Sequence, residues 1–97
     1  MRRWLLPALA CALLQAGAAH AADAPPGASS CTGCHAVSKT VETPVAVLNG
    51  RKPAELVMAM REFKSGARPS TVMGRIAKGF SDPEVDAIAV WFSAQAN

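Results

Sequence analysis

The sequence predicts a small all-α domain of about three short helices joined by long loops. Three observations lead there: two segments with apolar residues at helical spacing, start and stop signals at their ends, and no strand-like alternation. Ninety-seven residues hold one domain at most.

The first twenty-odd residues read as a leader rather than as part of that domain. Arg2 and Arg3 give a positive start, and the fifteen residues from Leu5 to Ala19 are apolar except at Pro7, Gln15 and Gly17. Ala19-His20-Ala21 then offers the small-x-small pattern of a cleavage site, so residues 1–21 are expected to be a secretory signal peptide and residues 22–97 the mature domain. The alternative, a membrane anchor, needs roughly 20 apolar residues. Cys11 lies inside the apolar run after Ala8-Leu9-Ala10, a poor signal for lipidation. No other segment is apolar enough to span a bilayer, so the expected location is the periplasm, with no span left after cleavage.

Cleavage changes the charge. The full chain carries 10 Lys+Arg and 7 Asp+Glu, a net +3; without Arg2 and Arg3 eight basic residues face seven acidic ones, a net +1. With no interleaving of basic and aromatic residues either, nucleic acid is not an expected partner.

Ala24 to Ser30 is a Pro/Gly/Ser tether with room for at most one helical turn. Ala36 to Lys52 is a loop of seventeen residues with Pro44 and an Asn49-Gly50 turn; loops of that length in compact domains are usually functional. A helix is expected from Pro53, which suits a first turn, to Ser65, with Leu56, Val57, Met60 and Phe63 on its apolar side and Gly66 ending it. Ala67 to Gly74 reads as a second loop, and Arg75 to Lys78 as one helical turn stopped by Gly79. Ser81, with Glu84 three residues on, forms a capping box that opens the last helix. Val85, Ile88, Ala89 and Phe92 form its apolar side, with Trp91 beside them. About 76 residues with few large apolar groups make a marginal core, so a buried group is expected to complete it.

Cys31-Thr32-Gly33-Cys34-His35 supplies that group. C-x-x-C-H is the attachment motif of haem c. Two thiols three residues apart reach the two vinyl groups on one porphyrin edge, and the following histidine falls under the iron. Two other readings fit less well. A redox dithiol uses the same C-x-x-C but in a βαβ context this chain lacks. A structural zinc site needs four ligands, and after cleavage only Cys31, Cys34 and His35 remain. The expected cofactor is therefore one covalent haem c, with His35 as a metal ligand.

The second axial ligand has three candidates, Met58, Met60 and Met73. Met60 lies on the apolar stripe of its helix and reads as a core filler. Met58 lies off that stripe. Met73 stands in a loop 38 residues beyond His35, between Pro69 and Gly74, where a chain can bring a thioether onto the far face of a haem. Met73 is the expected ligand; the alternative is an open or otherwise ligated iron.

From Ser30 to Gln95 the chain resembles the small class I c-type cytochromes. The likeness rests on Cys31-Thr-Gly-Cys-His35, Pro44-x-x-x-Leu48-x-Gly50, Phe63-Lys64-Ser65-Gly66-x-Arg68, Thr71-Val72-Met73-Gly74-Arg75-Ile76-Ala77, Phe80-Ser81-Asp82 and Ala89-x-Trp91-Phe92. The stretch from Phe63 to Phe92 is more particularly similar to the cytochrome subunit of flavocytochrome c sulfide dehydrogenase. The resemblance implies the class I cytochrome fold, wrapped around one haem, with His35 and Met73 as axial ligands. It implies that the Pro44 carbonyl accepts the Nδ1–H of His35, and that Arg51 lies near a haem propionate; for Arg51 a solvated surface charge is an equal alternative. Trp91 and Phe92 would pack the last helix against the chain near the cysteines. Where the family has a full helix before the first cysteine, Pro25, Pro26 and Gly27 leave barely one turn.

The function this implies is electron transfer without catalysis, most directly as the haem subunit that accepts electrons from a flavoprotein sulfide dehydrogenase. A free diffusible carrier between redox complexes is the alternative. A ligand sensor would need an open sixth position, against which Met73 argues. Arg51, Lys52, Arg61, Lys64, Arg68, Arg75 and Lys78 are either a docking set for an acidic partner or ordinary solvated charges.

Overall fold

A computed structural model describes residues 23–38 and 40–96. The leader assignment and Cys11 lie outside them. The described residues form four helices and no strand: α1 Ala28–Cys31, α2 Pro53–Ser65, α3 Met73–Lys78 and α4 Asp82–Ser93. None is long and apolar enough to cross a membrane.

Each long helix is set by its ends. Pro53 opens α2, where its missing N–H costs nothing, and Gly66 closes it at φ 85°, its N–H donating to Phe63 O. Glu55 in the first turn and Lys64 in the last complement the helix dipole. At α4, Ser81 Oγ accepts from the Glu84 N–H while the Glu84 carboxylate accepts from the Ser81 N–H at 2.7 Å. Both helices stand where the sequence places them.

The third helix starts two residues earlier than the sequence predicts, at Met73 rather than Arg75. The cause is Ser70, whose Oγ accepts the Gly74 N–H at 2.8 Å and so satisfies one of the orphan donors of the first turn. The same hydroxyl crowds position 74, where a Cβ would lie 3.3 Å from Ser70 Oγ but at ordinary contact distance, 3.5 Å, from Phe63 O of α2.

The core gathers Ala28 of α1, Ala77 of α3 and Val85, Ala89 and Phe92 of α4, the last three at i, i+4, i+7. Phe92, 2% exposed, is the largest fully buried side chain among the described residues, a burial worth about 2–3 kcal/mol. Helix α2 packs on both α3 and α4, and Val57, Met60, Ala77 and Val85 enclose a space of only about 10 Å³ there. Yet no residue of α2 is fully buried; Leu56, Val57, Met60 and Phe63 are half-buried. An apolar helix face left half-covered is the shape expected where a large planar group completes the interior.

The short N-terminal segment still reaches α4. Gly27, at φ 88°, lies so close to Phe80 and Ile88 that a Cβ would meet both side chains, and Ala28 is 0% exposed. One turn therefore keeps, on a smaller scale, the packing of the N-terminal segment against the last helix. Lys64 Nζ donates to Phe80 O at 2.7 Å and fixes the α3–α4 corner against α2.

Candidate functional site

The attachment motif begins on the last residue of α1. Cys31 is half-buried and Cys34 exposed, both as free thiols. The carbonyl of Cys31 accepts the N–H groups of Cys34 at 3.2 Å and His35 at 2.9 Å, which turns the chain sharply after the helix and holds the histidine close to the first cysteine. Burial pushes the Cys31 thiol above its ordinary pKa.

His35 Nδ1 meets the backbone carbonyl of Ala46 at 2.5 Å. A carbonyl can only accept, so Nδ1 carries a proton, and in the neutral ring Nε2 is then the nitrogen with the lone pair. That is the tautomer a metal ligand requires, and the bond also fixes the plane of the ring. The acceptor corrects one expectation: it is Ala46, not Pro44. Pro44 is exposed two residues upstream, and because a main-chain oxygen does the work, no side chain marks which residue supplies it.

The segment carrying Ala46 is itself tied down. Arg51 Nε donates to Val47 O at 2.7 Å and the Arg51 N–H to Leu48 O. The Gly50 N–H donates to Phe92 O at 3.0 Å, joining the segment to the end of α4. Asn49, the buried polar residue here, donates through Nδ2 to Val37 O at 2.7 Å and Ala96 O at 3.2 Å. In sequence Asn49 reads only as half of a turn with Gly50; in the fold its buried amide joins the site. Val41, Thr43, Ala46, Asn49 and Arg51 line an open cleft of about 600 Å³. The lining carries one charge of each sign, Glu42 and Arg51.

Met73 stands apart from this segment, half-buried at the first residue of α3 and held by the α2–α3 contact. Met60 faces the α2–α4 interior with Val57 and Val85, and Met58 is 60% exposed. Trp91 packs edge-on against Phe92, ring centroids 4.8 Å apart. Among the basic residues, Lys64 is engaged with Phe80, Arg51 with Val47, and Arg68 with Glu62 at 2.7 Å and the face of Phe63.

Two thiols on one turn, an imidazole with its outer nitrogen free to ligate, a half-buried thioether, a half-covered apolar helix face and a cation at a wide cleft fit a haem held by thioether bonds. Fold and site together define a c-type haem-binding domain.

The chain matches no protein-family model. It is 40% identical over 63 residues to the cytochrome subunit of sulfide dehydrogenase of Chlorobaculum tepidum, 65% of this chain and 57% of that protein. It is 38% identical over 96 residues to the thiosulfate dehydrogenase electron acceptor of Thiomonas intermedia, 96% of this chain and 44% of that protein. Cytochrome c-553 of Helicobacter pylori is 34% identical over 76 residues, 76% of this chain and 79% of that protein. The chain thus spans about half the length of the first two relatives and most of the third. It belongs to the family of small c-type cytochromes.

Proposed function

We propose that this chain is an exported monohaem cytochrome that accepts electrons from a catalytic partner, a flavoprotein oxidising sulfide. The observation that carries electron transfer is the His35–Ala46 bond next to the paired cysteines, which prepares Nε2 for iron. Haem c, when bound, would supply a one-electron centre; Cys31 and Cys34 would hold it covalently, His35 and Met73 would be the iron ligands, and Arg51 would offer a cation to a propionate. One haem follows from one attachment motif in 97 residues. Sulfide as the source rests on the 40% identity to a protein named for sulfide dehydrogenase. Residues 1–21 are proposed to be removed on export to the periplasm, on the charged start, short apolar run and small-residue site of the sequence.

A free diffusible carrier is the second reading, favoured by the relative matched over 79% of its own length, which is named only as a cytochrome. Kinetics separate the two. Ferric holo-protein mixed with sulfide and a purified flavoprotein sulfide dehydrogenase should be reduced at a rate that saturates with flavoprotein. Reduction no faster than by sulfide alone would remove the subunit reading. N-terminal sequencing of the haem-bearing protein should begin near Ala22; finding Arg2 and Arg3 on it would make the segment an anchor.

A further inference from the structure

We infer that Asn49 is a positioning residue for His35. The inference rests on His35 being the iron ligand and adds what holds that ligand in place. A closed ring runs through the histidine: along the chain from His35 to Val37, across from Val37 O to Asn49 Nδ2, back along the chain to Ala46, and across from Ala46 O to His35 Nδ1. Two hydrogen bonds and two short stretches of backbone close it. If the Asn49 bond opens, the segment bearing the Ala46 carbonyl keeps only the bond to the ring itself as a link to the histidine's own stretch of chain.

Asn49 is suited to this task by burial and by donor count. It is 7% exposed, and its amide nitrogen has two protons for two carbonyls, Val37 and Ala96. No buried side-chain nitrogen or oxygen among the described residues lacks a partner, so the amide is committed to these carbonyls. The second bond brings in the chain beyond α4, and the Gly50 N–H adds Phe92 O. The orientation of the histidine is thereby coupled to the C-terminal end of the fold, 47 residues from Asn49 at Ala96.

The test reads the ring proton itself. In the ferrous, diamagnetic holo-protein the His35 Nδ1–H should give a resolved NMR resonance that exchanges slowly with solvent. Asn49→Ala should accelerate that exchange about tenfold, the equivalent of one lost hydrogen bond, and shift the resonance. Asn49→Gln, which keeps the amide on a longer stem, should recover part of the protection and serves if the alanine variant does not fold. Val85→Ala, in the α2–α4 interior, should lower stability yet leave the His35 proton at the parent rate. Unchanged exchange in both Asn49 variants, or equal acceleration in Val85→Ala, would overturn the assignment while leaving His35 as ligand. A parent protein in which His35→Ala leaves the haem spectrum unaltered would overturn the ligand reading and this one with it.

Discussion

The backbone of Gly27 lies against the ring of Phe80, so close that a Cβ at position 27 would stand 2.6 Å from Phe80 Cε1. Gly66 shares the left-handed conformation, φ 85° against 88°, but has nothing within 4 Å of the same point. The pair separates conformational cost from contact cost. Gly66→Ala should destabilise the holo-protein by about 1 kcal/mol, the left-handed penalty alone. Gly27→Ala should cost about 2–4 kcal/mol, because overpacking adds about 1–3 to the same penalty. Chemical denaturation of both variants checks this; equal losses would mean that the one-turn N-terminal segment yields freely and its packing on Phe80 matters little.

Covalent attachment is tested by unfolding. Holo-protein matured with haem-attachment machinery should keep its haem mass after denaturation, since thioethers survive where axial bonds do not. The Cys31→Ala, Cys34→Ala double variant should release haem and fail to form a compact domain, because α2 buries no residue fully and the core has one fully buried large side chain among the described residues. Haem that washes out of the denatured parent would contradict the motif.

The capping box of α4 makes part of the stability depend on pH. The Glu84 carboxyl is held below its ordinary pKa, chiefly by the bond from the Ser81 N–H and then by the Ser81 hydroxyl. A depressed folded pKa means that the contribution is complete above the unfolded pKa and disappears as pH falls through the folded one. Glu84→Gln preserves an acceptor oxygen without a charge. Stability measured from about pH 6 to pH 3, the range that brackets carboxylate titration, should therefore show parent and variant converging, or the variant gaining, towards acid. A difference that stays constant across this range would show that the ionised form is not what the cap selects.

Helices α2 and α4 were legible because their signals are local. Pro53 and Gly66, and Ser81 with Glu84, lie within or beside the elements they bound, and each acts on backbone groups three or four residues away. The start of α3 was missed for a related reason: its cap is Ser70, outside the helix and beyond the residue at the N-cap position, Val72. The motif from Cys31 to His35 states its chemistry in five residues. The acceptor for His35 does not, since every residue offers the same carbonyl and only the path of the loop chooses Ala46 over Pro44. Asn49 was hidden by distance: its partners lie 12 and 47 residues away, so an amide that closes three strands of chain looks in sequence like half of a turn.

Met73, rather than Met58 or Met60, is expected to bind the iron from the face opposite His35. Met58 is 60% exposed, and Met60 is taken up in the α2–α4 interior with Val57, Ala77 and Val85. Met73 opens α3, half-buried, on a helix start fixed by Ser70 and by the packing of α3 on α2. A thioether ligand gives a weak band near the red end of the ferric spectrum, and the band disappears when the sulfur leaves. Met73→Ala should lose it, lower the reduction potential and open the iron to carbon monoxide. The direction of the potential follows from two effects of the same sign: a soft neutral ligand that favours ferrous iron is gone, and water entering the site favours the more highly charged ferric state. Met60→Leu conserves volume at an apolar position, so it should cost less than about 1.5 kcal/mol and leave the band in place. Spectra and potentials of the two variants, compared with the parent, decide between them. Loss of the band in Met60→Leu with its retention in Met73→Ala would transfer the ligand to α2, and the loop from Ala67 to Val72 would then have its role at the docking face instead.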